Sequence, residues 1–258
     1  MNEALVRYEA ENGVAWLTLD SPHNRNALSS ALVARLHAGL RTAADDPEVR
    51  VVVLGHTGNT FCAGADLSEA TAGPIDPEGP AAGRARALAG LLRALVEMPK
   101  PVIAAVEGHV RAGGMGLVAA CDFAVAGPAS TFALTEARLG VAPSIISLTV
   151  LPRLTSRAAS LVFLTGETFG PRQAADFGLV TVSTESVTET VSELVTALRT
   201  ASPQGLAESK KLLTAPILAA FDADADALAS SSARLFASEE AVEGMTAFLR
   251  RRPPRWAQ

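Results

Sequence analysis

The chain has 258 residues, 48% of them hydrophobic and 19% charged, enough to bury a substantial core as one domain or one domain with an appendage, and too apolar for a disordered chain. Its formal net charge is −5 and its arginines are scattered, so no basic stripe neutralises a nucleic-acid backbone, and no apolar run approaches the length of a membrane span. The acidic, weakly apolar start does not read as a secretory signal, so a soluble cytoplasmic protein is expected, with no nucleic-acid or membrane partner.

In chain order, Val14 to Leu19 reads as a strand closed by Asp20-Ser21-Pro22. Ser29 suits the N-cap of a helix running through Ala43, with Leu32, Val33, Leu36 and Leu40 at helical spacing. A second unit begins with Val51-Val52-Val53-Leu54. It continues through a Gly- and Pro-rich stretch from Gly73 to Gly83, a candidate substrate lid or a plain connector, into a helix bearing Leu88, Leu91, Leu92, Leu95 and Met98. Pro99 and Pro101 end that helix. A third unit joins the strand from Val102 to Val106, a helix after Gly113, and the short strand Phe123-Ala124-Val125. From Ser156 the pattern is nearly all helical, with helices predicted over 187–198, 206–218 and 228–251.

Two turns carry the chemistry. The strand over 102–106 feeds Gly108-His109-Val110-Arg111-Ala112-Gly113-Gly114-Met115-Gly116, and the strand from Val51 leads on to Phe61-Cys62-Ala63-Gly64-Ala65-Asp66-Leu67. Both end in small residues that expose backbone N–H groups and let a carbonyl approach the main chain, which suggests an oxyanion hole. A phosphate loop does not fit, because Gly114 and Met115 stand where its Lys and Ser/Thr belong, and the dinucleotide spacing is absent. Cys62 and Cys121 read as buried thiols rather than a disulfide pair, and the four histidines have no metal-ligand spacing.

These segments, with Asn24-Arg25-Asn26-Ala27-Leu28-Ser29, Cys121-Asp122, Thr135-Glu136-Ala137-Arg138-Leu139-Gly140, Leu164-Thr165-Gly166-Glu167, Gly178-Leu179-Val180 and Glu243-Gly244-Met245-Thr246-Ala247-Phe248, resemble the crotonase superfamily, the enoyl-CoA hydratase/isomerase family, in order along nearly the whole chain. The resemblance implies an α/β fold, a spiral of strand–strand–helix repeats over 1–200 with a C-terminal helical region over 201–258 that serves trimerisation, and a homo-trimer or hexamer. It makes Ala65 and Gly113 the oxyanion donors and Glu136 the catalytic acid/base of an enzyme acting on acyl-CoA. Arg25, Ala27, Leu28, Ala63, Asp66, Leu67 and Gly116 would line the coenzyme A and substrate groove, and Arg251 would reach CoA from a neighbouring chain. No cofactor is expected, since coenzyme A is part of the substrate, and no metal.

Two departures stand out. Hydratases with two glutamates carry the first at the position of Gly116, so only Glu136 remains, and Asp66 is expected to fix its loop rather than replace the missing group. After Glu136 comes Val141-Ala142-Pro143-Ser144-Ile145-Ile146-Ser147, similar to bacterial hydratases of branched enoyl-CoAs; Ser144 and Ser147 are expected as caps, with a water-holding role as the alternative. The expected activity is enoyl-CoA hydration with a single glutamate, a lyase reaction of fatty acid metabolism. Double-bond isomerisation and a catalytically silent acyl-CoA-binding protein are the alternatives.

Overall fold

The computed structural model describes residues 5–70 and 79–257. Strands β1 (Val6–Glu11) and β2 (Val14–Leu19) form an antiparallel hairpin across Asn12 and Gly13, both at positive φ. Helix α1 (Ser30–Asp45) follows, capped as expected by Ser29, whose Oγ accepts the Leu32 N–H at 3.2 Å. Next come β3 (Val51–His56), β4 (Thr60–Cys62), the short α2 (Leu67–Ala70) and α3 (Pro80–Glu97). The expected lid over 73–83 lies outside the described residues as far as 78, and from Pro80 it already belongs to α3. Proline suits that position, because the first helical turn needs no N–H donor there.

The chain then winds through β5 (Val102–Val106), β6 (His109–Arg111) and α4 (Gly113–Ala120), then β7 (Phe123–Ala126), β8 (Thr131–Ala133) and a 3-10 turn over Glu136–Leu139. Each turn of this spiral lays one strand in a six-stranded sheet, order β1-β2-β3-β5-β7-β9, and one in a three-stranded sheet, order β4-β6-β8. Apart from the first hairpin, the named strands pair in parallel, and an antiparallel bridge joins Phe132 of β8 to Phe169. The α/β spiral expected from the sequence is therefore the observed fold. Helices α5 (Ser147–Val150), α6 (Ser156–Thr165) and α7 (Pro171–Phe177) precede β9 (Val182–Ser183), and α8 (Val187–Thr200), α9 (Pro203–Phe236) and α10 (Glu239–Leu249) complete the chain.

The period-two alternation of a strand explains how both faces of the large sheet are used. On β3, Val52 and Leu54 enter the main core with Leu32, Leu36, Leu91 and Leu95, whereas Val51 and Val53 face Val187 and Val191 of α8. Because both faces are covered, β3 reads as a continuous apolar run.

The helices predicted over 206–218 and 228–251 are a correction. One helix, α9, runs through Pro216, and the break falls at Ala237, where Ser238 caps α10 by accepting the Ala241 N–H. Proline costs a helix one hydrogen bond, but here the helix is held on both sides of it. Ile217, Phe221 and Ala229 join the main core, Arg93 of α3 pairs with Asp222, and the buried Lys210 ammonium reaches Asp122 at 2.7 Å and the carbonyls of Leu95 and Lys100. Most of the C-terminal region thus packs on its own chain.

Candidate active site

The three-stranded sheet assembles the site. Its strands β4, β6 and β8 run parallel as neighbours, and within three residues of their C-terminal ends come Ala65, Gly113 and Glu136 respectively. Parallel neighbours lie about 4.8 Å apart, so the three groups emerge at one end of one small sheet.

The donor loops touch directly. A Cβ on Gly64 would lie 3.5 Å from the Gly113 nitrogen and 2.7 Å from Ala112 Cβ; one on Gly114 would lie 2.9 Å from the Cys62 carbonyl oxygen. Only glycine permits this approach of main chain to main chain. Ala112 precedes the turn at φ 48°, ψ −121°, a strained conformation for alanine, held by its N–H to Ala133 O and by its carbonyl accepting from Met115 N–H. Among the described residues, neither the Ala65 N–H nor the Gly113 N–H has an acceptor. Gly113 opens α4, so the positive end of that helix reinforces its N–H.

The segment carrying Arg25, Ala27 and Leu28 is clamped to the first donor loop: Leu28 N–H donates to Gly64 O at 2.8 Å and Ala63 N–H to Arg25 O at 3.1 Å. Asn26 anchors it from below, fully buried, its amide bound to Ser21 N–H and to the carbonyls of Thr57 and Thr60. Ala27 and Leu28 are buried, and the Leu28 side chain lies where a Cβ on Gly113 would project, 2.7 Å away. Arg25 is exposed at φ 58° on this rim.

Glu136 is buried, its Oε2 has no hydrogen-bond partner among the described residues, and burial pushes its pKa up to about 7. Such a group exchanges protons near neutrality. Asp66 differs. Its carboxylate accepts from Ser68 N–H at 3.0 Å, Ser68 Oγ at 2.6 Å and Asn24 Nδ2 at 3.4 Å, which hold it below the usual carboxylate range and tie it to the start of α2, where Leu67 lies.

Gly116 is buried one turn into α4, and the space its side chain would claim is already filled: a Cβ there would lie 2.5 Å from Ile146 Cγ2 and 2.9 Å from Ile146 Cβ. Leu92 Cδ1 lies 3.4 Å from the same point, and Thr149 Oγ1 donates to Gly116 O at 3.1 Å. Ser147 Oγ donates to Ser144 O at 2.6 Å and Ser144 Oγ faces Ala142 O, so both hydroxyls serve the local turn. Arg251 is exposed at φ 52° on the tail after α10, which is folded back by the Arg252–Glu243 ion pair. Burial pushes the thiols of Cys62 and Cys121 up to about 12, which leaves them as inert core residues. Among the described residues no three His, Cys, Asp or Glu side chains gather as a metal site.

The roles of Asn26, Ala112 and Ile146 were not read from the sequence. The Asn24–Ser29 motif contained the first, but a positive φ and a partner thirty residues away leave no local signal.

At one end of the small sheet stand two backbone N–H groups that are unpaired among the described residues, on loops that touch, and a buried carboxyl after the neighbouring strand. The Enoyl-CoA hydratase/isomerase family model matches residues 9–258, and the chain belongs to this family. The crystal structure of an enoyl-CoA hydratase from Mycobacterium avium superposes with a TM-score of 0.91 at 58% identity, covering 98% of this chain and 99% of that one. The chain is 35% identical over 248 residues to the mevalonyl-coenzyme A hydratase sidH of Aspergillus fumigatus, covering 93% of this chain and 90% of that protein. It is 29% identical to the 1,2-epoxyphenylacetyl-CoA isomerase of Escherichia coli, covering 95% of each.

Proposed function

We propose that the chain is an enoyl-CoA hydratase that adds water to a 2-enoyl-CoA using one carboxylate. The thioester oxygen accepts hydrogen bonds from the N–H groups of Ala65 and Gly113. Glu136 takes a proton from water as the hydroxyl bonds to C3, the double-bond electrons move onto the thioester oxygen, and the protonated Glu136 then delivers its proton to C2. The observation that carries this reading is the partnerless, buried Glu136 oxygen with its raised pKa. Arg25, Ala27, Leu28, Ala63, Asp66, Leu67 and Gly116 form the CoA and substrate groove, with Arg251 supplied by a neighbouring chain. Coenzyme A enters as part of the substrate, and no separate cofactor or metal takes part.

The filled space above Gly116 favours a second reading, double-bond isomerisation, in which Glu136 removes a proton from C2 of a 3-enoyl-CoA and returns it to C4. We further propose a homo-trimer or hexamer in the cytoplasm, without nucleic-acid or membrane partners. Exposed Leu212, Leu213, Phe248 and Leu249 support the assembly, and no helix among the described residues is long and apolar enough to cross a membrane.

The test is product identification from a panel of straight and branched 2-enoyl- and 3-enoyl-CoAs, with light scattering on the same samples. Formation of 3-hydroxyacyl-CoA upholds hydration, and a double-bond shift without water addition replaces it with isomerisation. Binding of acyl-CoA without turnover of any substrate leaves a silent binding protein, and a stable monomer refutes the assembly.

A further inference from the structure

Helix α10 meets the turn that carries Glu136 backbone to backbone. A Cβ on Gly244 would lie 2.4 Å from Leu139 O and 2.5 Å from Leu139 C, and one on Gly140 would lie 2.6 Å from Glu240 C. Each glycine therefore admits the main chain opposite it, closer than any side chain would allow. Val141, Ala241 and Met245 seal this seam, with Leu139, Leu235 and Phe236 at its edge. The turn is also held from its other side, where Arg138 Nε donates to Thr165 O at the end of α6. Within it, Gly140 at φ 76° stops the turn, and Val141 N–H donates to Glu136 O at 3.0 Å.

We propose that Gly244 is a positioning residue: its missing side chain lets α10 seat against the Glu136–Leu139 turn, so the C-terminal helix fixes where the Glu136 carboxyl stands and keeps water from it. The proposal rests on Glu136 being the acid/base. The charged groups on the elements at the seam are Arg138 in the turn, Arg157 on α6, Arg234 in the last turn of α9 beside Leu235 and Phe236, and Glu239, Glu240 and Glu243 on α10. Arg138 is bound to Thr165 O and Glu243 to Arg252, and burial, not a neighbouring charge, sets the Glu136 proton affinity. On this proposal, that burial depends on the seam staying closed.

In Gly244→Ala, relieving the contact from 2.4 Å to an ordinary 3.4 Å moves the backbones apart by about 1 Å. The variant is compared with the native protein in kcat, KM, the pH profile of kcat, and the carboxyl titration followed by isotope-edited infrared spectroscopy; Val242→Ala, on the exposed side of α10, is the control. Expected are a kcat lower by on the order of 10- to 100-fold at nearly unchanged KM, and a Glu136 titration moved down from about 7 towards the ordinary carboxylate range. A folded Gly244→Ala with native kcat and native titration overturns the proposal. Should Gly244→Ala fail to fold, Met245→Ala opens the same seam without a clash and is expected to shift the titration in the same direction; a folded Met245→Ala titrating as the native protein does overturns it equally. Since the infrared titration needs no turnover, full activity in Glu136→Gln would refute the acid/base role separately from the role of Gly244.

Discussion

Glu136 should make the protein less stable as pH rises, and removing its charge should restore that stability while abolishing turnover. Its carboxyl has an ordinary value of 4.5 and reaches about 7 in the fold, so the folded state binds the proton more tightly than the unfolded state. The stability it contributes is complete below the unfolded value, declines as pH rises from 4.5 to about 7, and changes no further above that. At about 1.4 kcal/mol per pKa unit, the loss between roughly pH 4 and pH 8 is on the order of 3 kcal/mol, and the carboxyl is too buried for solvent to screen it away. In Glu136→Gln the shape remains and the ionisation is gone. Urea denaturation of both proteins across that range is expected to give similar stabilities at the acid end and a Gln variant more stable by about 3 kcal/mol at the alkaline end, with kcat lower by about 10²- to 10⁴-fold. A stability difference that stays flat with pH would refute the raised pKa, and a variant that is more stable yet fully active would refute the proton-transfer role.

Gly113→Val is expected to lower kcat by about 10²- to 10³-fold in a folded protein, because the new side chain collides with Leu28 and displaces one N–H donor; steady-state kinetics with circular dichroism checks it. Gly116→Ala should cost about 1–3 kcal/mol by overpacking against Ile146, and Ile146→Ala about 2–5 kcal/mol by leaving a cavity. Together they should cost at least about 1 kcal/mol less than the separate losses added up, and additive denaturation energies would show that the two residues do not compete for the same space. Lys210→Met should cost about 3–5 kcal/mol, because it strands Asp122 in the interior, and thermal melts should register the loss without a change in KM.

Where a signal was local, the sequence carried it. Ser29 before an apolar helical stripe located α1, and Val51-Val52-Val53-Leu54 located a strand, whose cover on both faces only the structure shows. Glu136 was singled out through its motif, although in isolation a glutamate among apolar residues says nothing about which oxygen lacks a partner. Strands β4, β6 and β8 are only three residues long, too short for a period to show, so the sheet that assembles the site was invisible. The helices read over 206–218 and 228–251 are divided elsewhere: packing carries α9 without a break through 219–227, and the cap at Ser238 was hidden inside a helical pattern that looked continuous. The filling of the Gly116 space by Ile146 joins residues thirty apart, and no pattern within one element records it.

The three-stranded sheet also dictates when the site comes into being as the chain folds. Thr60 pairs with His109, 49 positions later, and His109 with Thr131, a further 22 positions on, so neither pairing can nucleate as a local hairpin. Closing such long loops costs entropy before any contact compensates, which makes parallel strands late arrivals. The hairpin of β1 and β2 and helix α1 can form from neighbouring residues, but the loops of Ala65 and Gly113 meet only once β6 has docked on β4, and Glu136 joins them only after β8 has docked on β6. Recovery of activity during refolding therefore follows the slowest docking step rather than the return of helical signal.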